Sequence, residues 1–126
     1  TRQKAEALIG ELNLQDKIKI IDYTPENITQ ALKDTYLVIN TTSIGMHPNI
    51  DYSPVPKEAL KKEHVVFDAV YNPIETKLIK DAKEIGCKTI SGVGMLVHQG
   101  AESSRIWLGI DPPIETMRKV LIDALS

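Results

Sequence analysis

The sequence predicts a doubly wound α/β fold around a parallel sheet, and three observations carry the prediction. Short apolar runs at 36–39, 65–67 and 89–90 read as buried strands. Segments with helical spacing lie between them, and a crossover helix keeps successive strands parallel. Each run is followed at once by a loop of small, polar or glycine residues, at 40–46, 68–73 and 92–99. Ligands of open parallel sheets bind outside the carboxyl ends of the strands, so the three loops are expected to line one crevice. The opening strand and glycine-rich turn usual in such folds are not among these residues, so the expectation is a doubly wound sheet lacking both.

Taken in order, residues 2–12 place Ala5, Leu8, Ile9 and Leu12 on one face of a helix. Residues 17–21 alternate lysine with isoleucine and read as a strand. Thr24, Pro25 and Glu26 form a helix start, with Ile28, Ala31 and Leu32 facing inward. The stretch 47–56 holds three prolines and little periodicity, which predicts a surface loop before a short helix at 57–62. Residues 76–85 read as a helix with Leu78, Ile79, Ala82 and Ile85 inward and Gly86 as its stop. The strand at 87–90 follows, then a helix at 95–108. Pro112 and Pro113 break the chain before a last helix in which Ile114, Met117, Val120, Leu121 and Leu125 share a face.

Composition narrows the function classes. The chain has 126 residues, enough for one domain with a substantial core. A net charge of -2 gives no electrostatic reason to bind polyanions, so nucleic acid is not an expected partner. No apolar stretch approaches the roughly 20 residues that span a bilayer, so no membrane partner is expected. The single cysteine, Cys87, has no internal partner, which fits a reducing compartment and a cytoplasmic location. His47, His64 and His98 lack metal-ligand spacing, and no metal is assigned.

The loops carry the chemistry. Thr41, Thr42 and Ser43 close on Gly45, a pattern that serves either as a well-capped turn or as hydroxyl donors beside a ribose or phosphate. Asp68 reads as the fastener of its own turn rather than as an acid. Tyr71 follows at a strand end, either as a half-buried ring or as a phenol reaching a ligand hydroxyl or carboxylate. Gly92 and Gly94 flank Val93 ahead of a helix, where backbone groups can approach a planar ring, although the spacing is not that of a phosphate loop. Gln99 both donates and accepts, which suits a vicinal diol as well as open surface. Lys4 and Arg2 give cationic density at the start of the first helix.

Taken together, the loops 40–46, 68–73 and 92–99, in this order and with Trp107-Leu108-Gly109 beyond them, resemble the cofactor domain of the shikimate dehydrogenase family. The resemblance extends along nearly the whole chain and implies a Rossmann-like domain. It also implies NADP-dependent, reversible reduction of 3-dehydroshikimate to shikimate, in aromatic amino-acid biosynthesis. By position, Thr1 and Lys4 would face the adenosine 2′-phosphate, and Thr41, Thr42 and Ser43 the ribose and diphosphate. Ala69 and Gly92 would border the nicotinamide, with Met95 against the ring, while Tyr71 and Gln99 would hold shikimate. The family's catalytic lysine and aspartate belong to an N-terminal substrate domain with no counterpart in residues 1–126. The expectation is therefore a partial NADP-binding domain with closing C-terminal helices, without catalytic residues and inactive alone. A quinate/shikimate dehydrogenase using NAD, or a non-catalytic nucleotide-binding or assembly module, are the competing readings. An uncovered sheet edge and last helix suggest a homo-oligomer.

Overall fold

The computed structural model describes residues 2–126; the expected contact at Thr1 lies outside them. Helix α1 (Arg2–Glu11) leads through an irregular stretch to α2 (Pro25–Leu32), β1 (Leu37–Asn40), a 3₁₀ turn (Lys57–Ala59) and β2 (Val65–Asp68). Helix α3 (Lys77–Ile85), β3 (Lys88–Ser91), α4 (Gly92–Leu108) and α5 (Ile114–Leu125) complete the chain. The strands form one parallel sheet in the order β1-β2-β3, with Asn40 opposite Asp68 and Asp68 opposite Ser91. The α/β class and parallel order are those the sequence predicts.

One face of the sheet carries the core. Val38 and Val66 point to the side where Leu32 of α2, Leu78 and Ala82 of α3, and Val55, Ala59 and Leu60 of the connecting loop are buried. Val66 and Leu78 are fully buried, and burial of each contributes about 1.5–3 kcal/mol. Helix α2 opens on Thr24, whose hydroxyl accepts from the Asn27 amide, with Pro25 at the first position. His64, also buried, accepts from the Lys61 amide at 3.0 Å through Nδ1, and its Nε2 lies 3.2 Å from the Leu32 carbonyl. The ring thus ties the entry of β2 to the end of α2.

The opposite face is uncovered. Period-two alternation places Leu37, Ile39, Phe67 and Ile90 there, and Leu37, Ile39 and Ile90 are 48%, 52% and 45% exposed. Helix α1 has a similar character. Only Ile9 of its apolar stripe is buried, while Leu8 and Leu12 stay more than half exposed.

Three expected elements are corrected. Residues 17–21 form no strand: they have no neighbour to pair with among the described residues, and a strand exists only through its ladder. The helix expected at 57–62 is a single 3₁₀ turn, because Leu60 is already extended. The helix expected to start at Met95 begins at Gly92, so Gly92, Val93 and Gly94 form its first turn rather than a sharp bend before it.

Candidate ligand cleft at the carboxyl edge

The site grows from the last residues of β1 and β2. Asn40 and Asp68 end adjacent strands in register, and both side chains are buried. Asn40 Nδ2 donates to Asp68 Oδ1 at 2.9 Å and to the Ile44 carbonyl at 3.3 Å. Asn40 Oδ1 accepts from the Thr42 amide at 3.0 Å and from the Thr42 hydroxyl at 2.7 Å. Asp68 Oδ1 also accepts from the Val70 amide at 3.0 Å, and Oδ2 from the Thr76 hydroxyl at 2.6 Å. Thr76 Oγ1 in turn caps α3, accepting from the Ile79 amide at 3.3 Å. Asp68 is the turn fastener the sequence suggested, and it holds three segments rather than one.

Above this pair lies an open cleft of about 420 Å³. Its first wall is Thr41, Thr42 and Ser43, with Met46 and His47; its second is Ala69, Val70, Tyr71 and Asn72. The His47 amide donates to the Asn72 carbonyl at 3.1 Å and joins the two walls at the far end. The first loop closes through Gly45, whose φ of +89° suits glycine and whose added Cβ would lie 3.0 Å from the Tyr52 carbonyl oxygen. The cleft therefore combines hydroxyls and amides with an apolar floor, and Tyr71 stands 40% exposed at its rim.

Gly92 sits directly behind the second wall. A Cβ there would lie 2.3 Å from the Ala69 carbonyl oxygen and 2.7 Å from that of Val70, so only glycine lets α4 start this close. The structure thus brings together Thr41, Thr42, Ser43, Ala69 and Tyr71, with Gly92 against Ala69. Other expected residues stand apart from the cleft lining. Met95 is 45% exposed on the first turns of α4. Gln99, one turn further, donates to the Leu96 carbonyl at 2.9 Å. Lys4 lies exposed on α1, where the neighbouring Arg2 is bound to Glu6 and Asp22 at 2.8 and 2.7 Å.

Sequence reasoning left four lining residues unassigned: Met46, His47, Val70 and Asn72. The adjacency of Met46 and His47 to Gly45 was the available signal; their meeting with Asn72 depends on the fold of the loop. A second cleft, of about 360 Å³, lies between the start of α2 and the loop at 51–58. Its lysines are already engaged, Lys77 with Asp81 at 3.0 Å and Lys57 with Glu84. The first cleft, at the carboxyl edge of the parallel strands, is the better candidate.

Fold and cleft together define a Rossmann-like α/β domain with a candidate ligand cleft at the carboxyl edge of a parallel sheet. Residues 92–122 match the family model of the shikimate 5'-dehydrogenase C-terminal domain. The shikimate dehydrogenase (NADP(+)) of Methanosarcina mazei is 45% identical across 100% of this chain, which spans 45% of that relative's length. The chain is similar to the shikimate dehydrogenases, in the part that forms their C-terminal domain. Among solved structures, shikimate 5-dehydrogenase from Thermus thermophilus in complex with NADP(H) and shikimate superposes with a TM-score of 0.80 at 30% identity. That match covers 99% of this chain and 44% of the other. The enzyme from Listeria monocytogenes, in complex with shikimate and NAD, gives 0.81 at 30% identity over 93% of this chain and 42% of the other. The chain thus spans less than half the length of the proteins it matches.

Proposed function

We propose that this chain forms the cofactor-side wall of an NADP-dependent dehydrogenase that interconverts 3-dehydroshikimate and shikimate. The observation that carries the reading is the convergence of Thr41, Thr42 and Ser43 with Ala69 and Tyr71 on one cleft at the carboxyl edge. NADP suits this donor set, with hydroxyls and amides for its ribose and diphosphate and the glycine-backed Ala69 backbone for the face of its nicotinamide. When bound, the reduced cofactor would supply a hydride to 3-dehydroshikimate and the oxidised cofactor would accept one from shikimate. The chain's own residues bind and orient. Thr41, Thr42 and Ser43 hold the ribose side, Ala69 and Gly92 border the ring, and Met95 covers it. Tyr71 and Gln99 donate to the substrate's hydroxyl and carboxylate groups, and Lys4, with Thr1, offers positive charge to the 2′-phosphate. Gln99 is released from the Leu96 carbonyl for that role.

Hydride transfer needs both reactants at near-attack separation and a group that moves the hydroxyl proton. His47 and Tyr71 are the titratable side chains along this wall; Tyr71 has a binding role and neither is assigned the proton transfer, so the 126 residues alone are expected to be catalytically silent. The experiment that tests the reading is a steady-state assay of the full-length protein carrying this domain, with NADP or NAD and shikimate or quinate. Turnover with NADP and shikimate, together with none by the 126-residue chain, is the expected result. Preference for NAD with quinate would move the protein to the quinate/shikimate branch. Failure of every pair, with no NADP-induced rise in the chain's melting temperature, would leave a non-catalytic assembly module.

A further inference from the structure

We infer that the buried Asn40–Asp68 pair couples the two halves of the cleft, so that the loop assigned to the cofactor and the loop assigned to the substrate move as one body. Thr42 binds Asn40 Oδ1 through both amide and hydroxyl, and Asn40 Nδ2 binds Asp68 Oδ1. The same Asp68 oxygen receives the amide of Val70, the residue before Tyr71. An unbroken run of hydrogen bonds therefore leads from a side chain on the first wall to the backbone that carries Tyr71. Asp68 Oδ2, held by the Thr76 hydroxyl at 2.6 Å, anchors the run to the start of α3. Asp68 has no exposure and Asn40 only 4%, so water does not compete for these bonds, and each strengthens its neighbours.

Three features separate this role from ordinary turn fastening. The pair joins two strands rather than two residues of one turn. It sits at the last register position, where the chain leaves the sheet and each loop would otherwise choose its own direction. No other side-chain bond links residues 40–47 to residues 68–72; the remaining ties are the backbone bonds of Ala69 to Asn40 and of His47 to Asn72. Asp68 and Asn40 are thus positioning residues for transfer between the two loops. They touch neither ligand, and their effect appears in the alignment of two bound molecules rather than in the affinity of either one.

This inference rests on the dehydrogenase reading for its kinetic consequence but not for its structural one, and the test uses both. The variant is Asp68→Asn, which keeps shape and removes one acceptor. The control is Val66→Ala, which loosens the core without touching the run of bonds. In the full-length protein, Asp68→Asn is expected to lower kcat at least tenfold while the Kd for NADP alone changes less than threefold; Val66→Ala at matched melting temperature leaves kcat within threefold. Amide hydrogen exchange of the unliganded protein supplies the second readout. Thr42 and Val70 are expected to lose protection together in Asp68→Asn and to keep it in Val66→Ala. Loss at Val70 with Thr42 unchanged would overturn the coupling whatever the activity. A fall in kcat matched by an equal loss of NADP affinity would overturn it as well, since the residue would then serve one loop only. If the parent protein turns over no substrate, the exchange result alone decides the inference, and the dehydrogenase reading fails separately.

Discussion

At the scale of single residues, Gly92 carries the tightest steric demand of the seven glycines. Its missing Cβ is replaced in space by two backbone carbonyls of the Ala69–Val70 wall, which cannot step aside as a flexible side chain would. Gly92→Ala is expected to destabilise the chain by about 1–3 kcal/mol through overpacking. It should also displace Ala69, so that any NADP-dependent rise in melting temperature shrinks with it. Thermal unfolding with and without NADP checks both, and a variant as stable as the parent would contradict the close approach. Cys87 shows the opposite situation. Burial pushes its thiol up, and its Sγ lies 3.1 Å from the Lys61 carbonyl. This accords with a structural role rather than with a reactive thiolate.

At the scale of elements, Thr76 joins a helix to the site. Its hydroxyl caps α3 and donates to Asp68 at the same time. Thr76→Val is expected to cost about 2–4 kcal/mol, from roughly 1 for the cap and a further 1–3 for a buried acceptor left short of a donor. Thr76→Ser should recover most of it, and denaturant titration of the two variants measures the difference. The same capping residues explain what was legible in the sequence. Thr24 with Pro25 and Thr76 with Gly86 announce where α2 and α3 begin or end, because capping is a local matter of a hydroxyl and a few amides. The strands β1, β2 and β3 were legible as apolar runs. Residues 17–21 alternate lysine with isoleucine yet form no strand, since a ladder needs a neighbour and nothing local supplies one. Gly92 and Gly94 read as a sharp turn ahead of a helix because glycine frees the backbone; the close approach of Gly92 to Ala69, invisible in the sequence, sets the start of α4 at Gly92 instead. The site was legible in the same uneven way. Thr41, Thr42, Ser43, Ala69 and Tyr71 meet because parallel strands deliver their loops to one edge. Lys4, Met95 and Gln99 were placed by resemblance, and their helices carry them outside the cleft lining.

At the scale of the whole molecule, the sheet is covered on one face and bare on the other. Leu37, Ile39 and Ile90 form an apolar strip beside an edge strand, β1, that has no outer neighbour among the described residues. Such surfaces seek cover. The chain by itself is expected to associate into dimers or larger species at micromolar concentration. Ile39→Lys should shift it toward monomer with little loss of stability, because the charge enters water rather than a core. Light scattering across a concentration series checks this, and a monomeric mass for the unaltered chain would remove the basis for it. Among the described residues no helix is long and apolar enough to cross a membrane.

The register that sets Asn40 beside Asp68 has a consequence for how such a cleft can change. Neighbouring strands stand about 4.8 Å apart, so the roots of the two loops are fixed by the sheet and not by the loops themselves. Lengthening the proline-rich connection at 47–56 would remodel the outer lip while the roots keep their spacing. A single residue inserted between Asn40 and Ser43 would instead rotate every hydroxyl of the first wall away from its post. New ligand preferences in this scaffold are therefore reached by exchanging side chains along a rigid rim, with additions confined to its periphery.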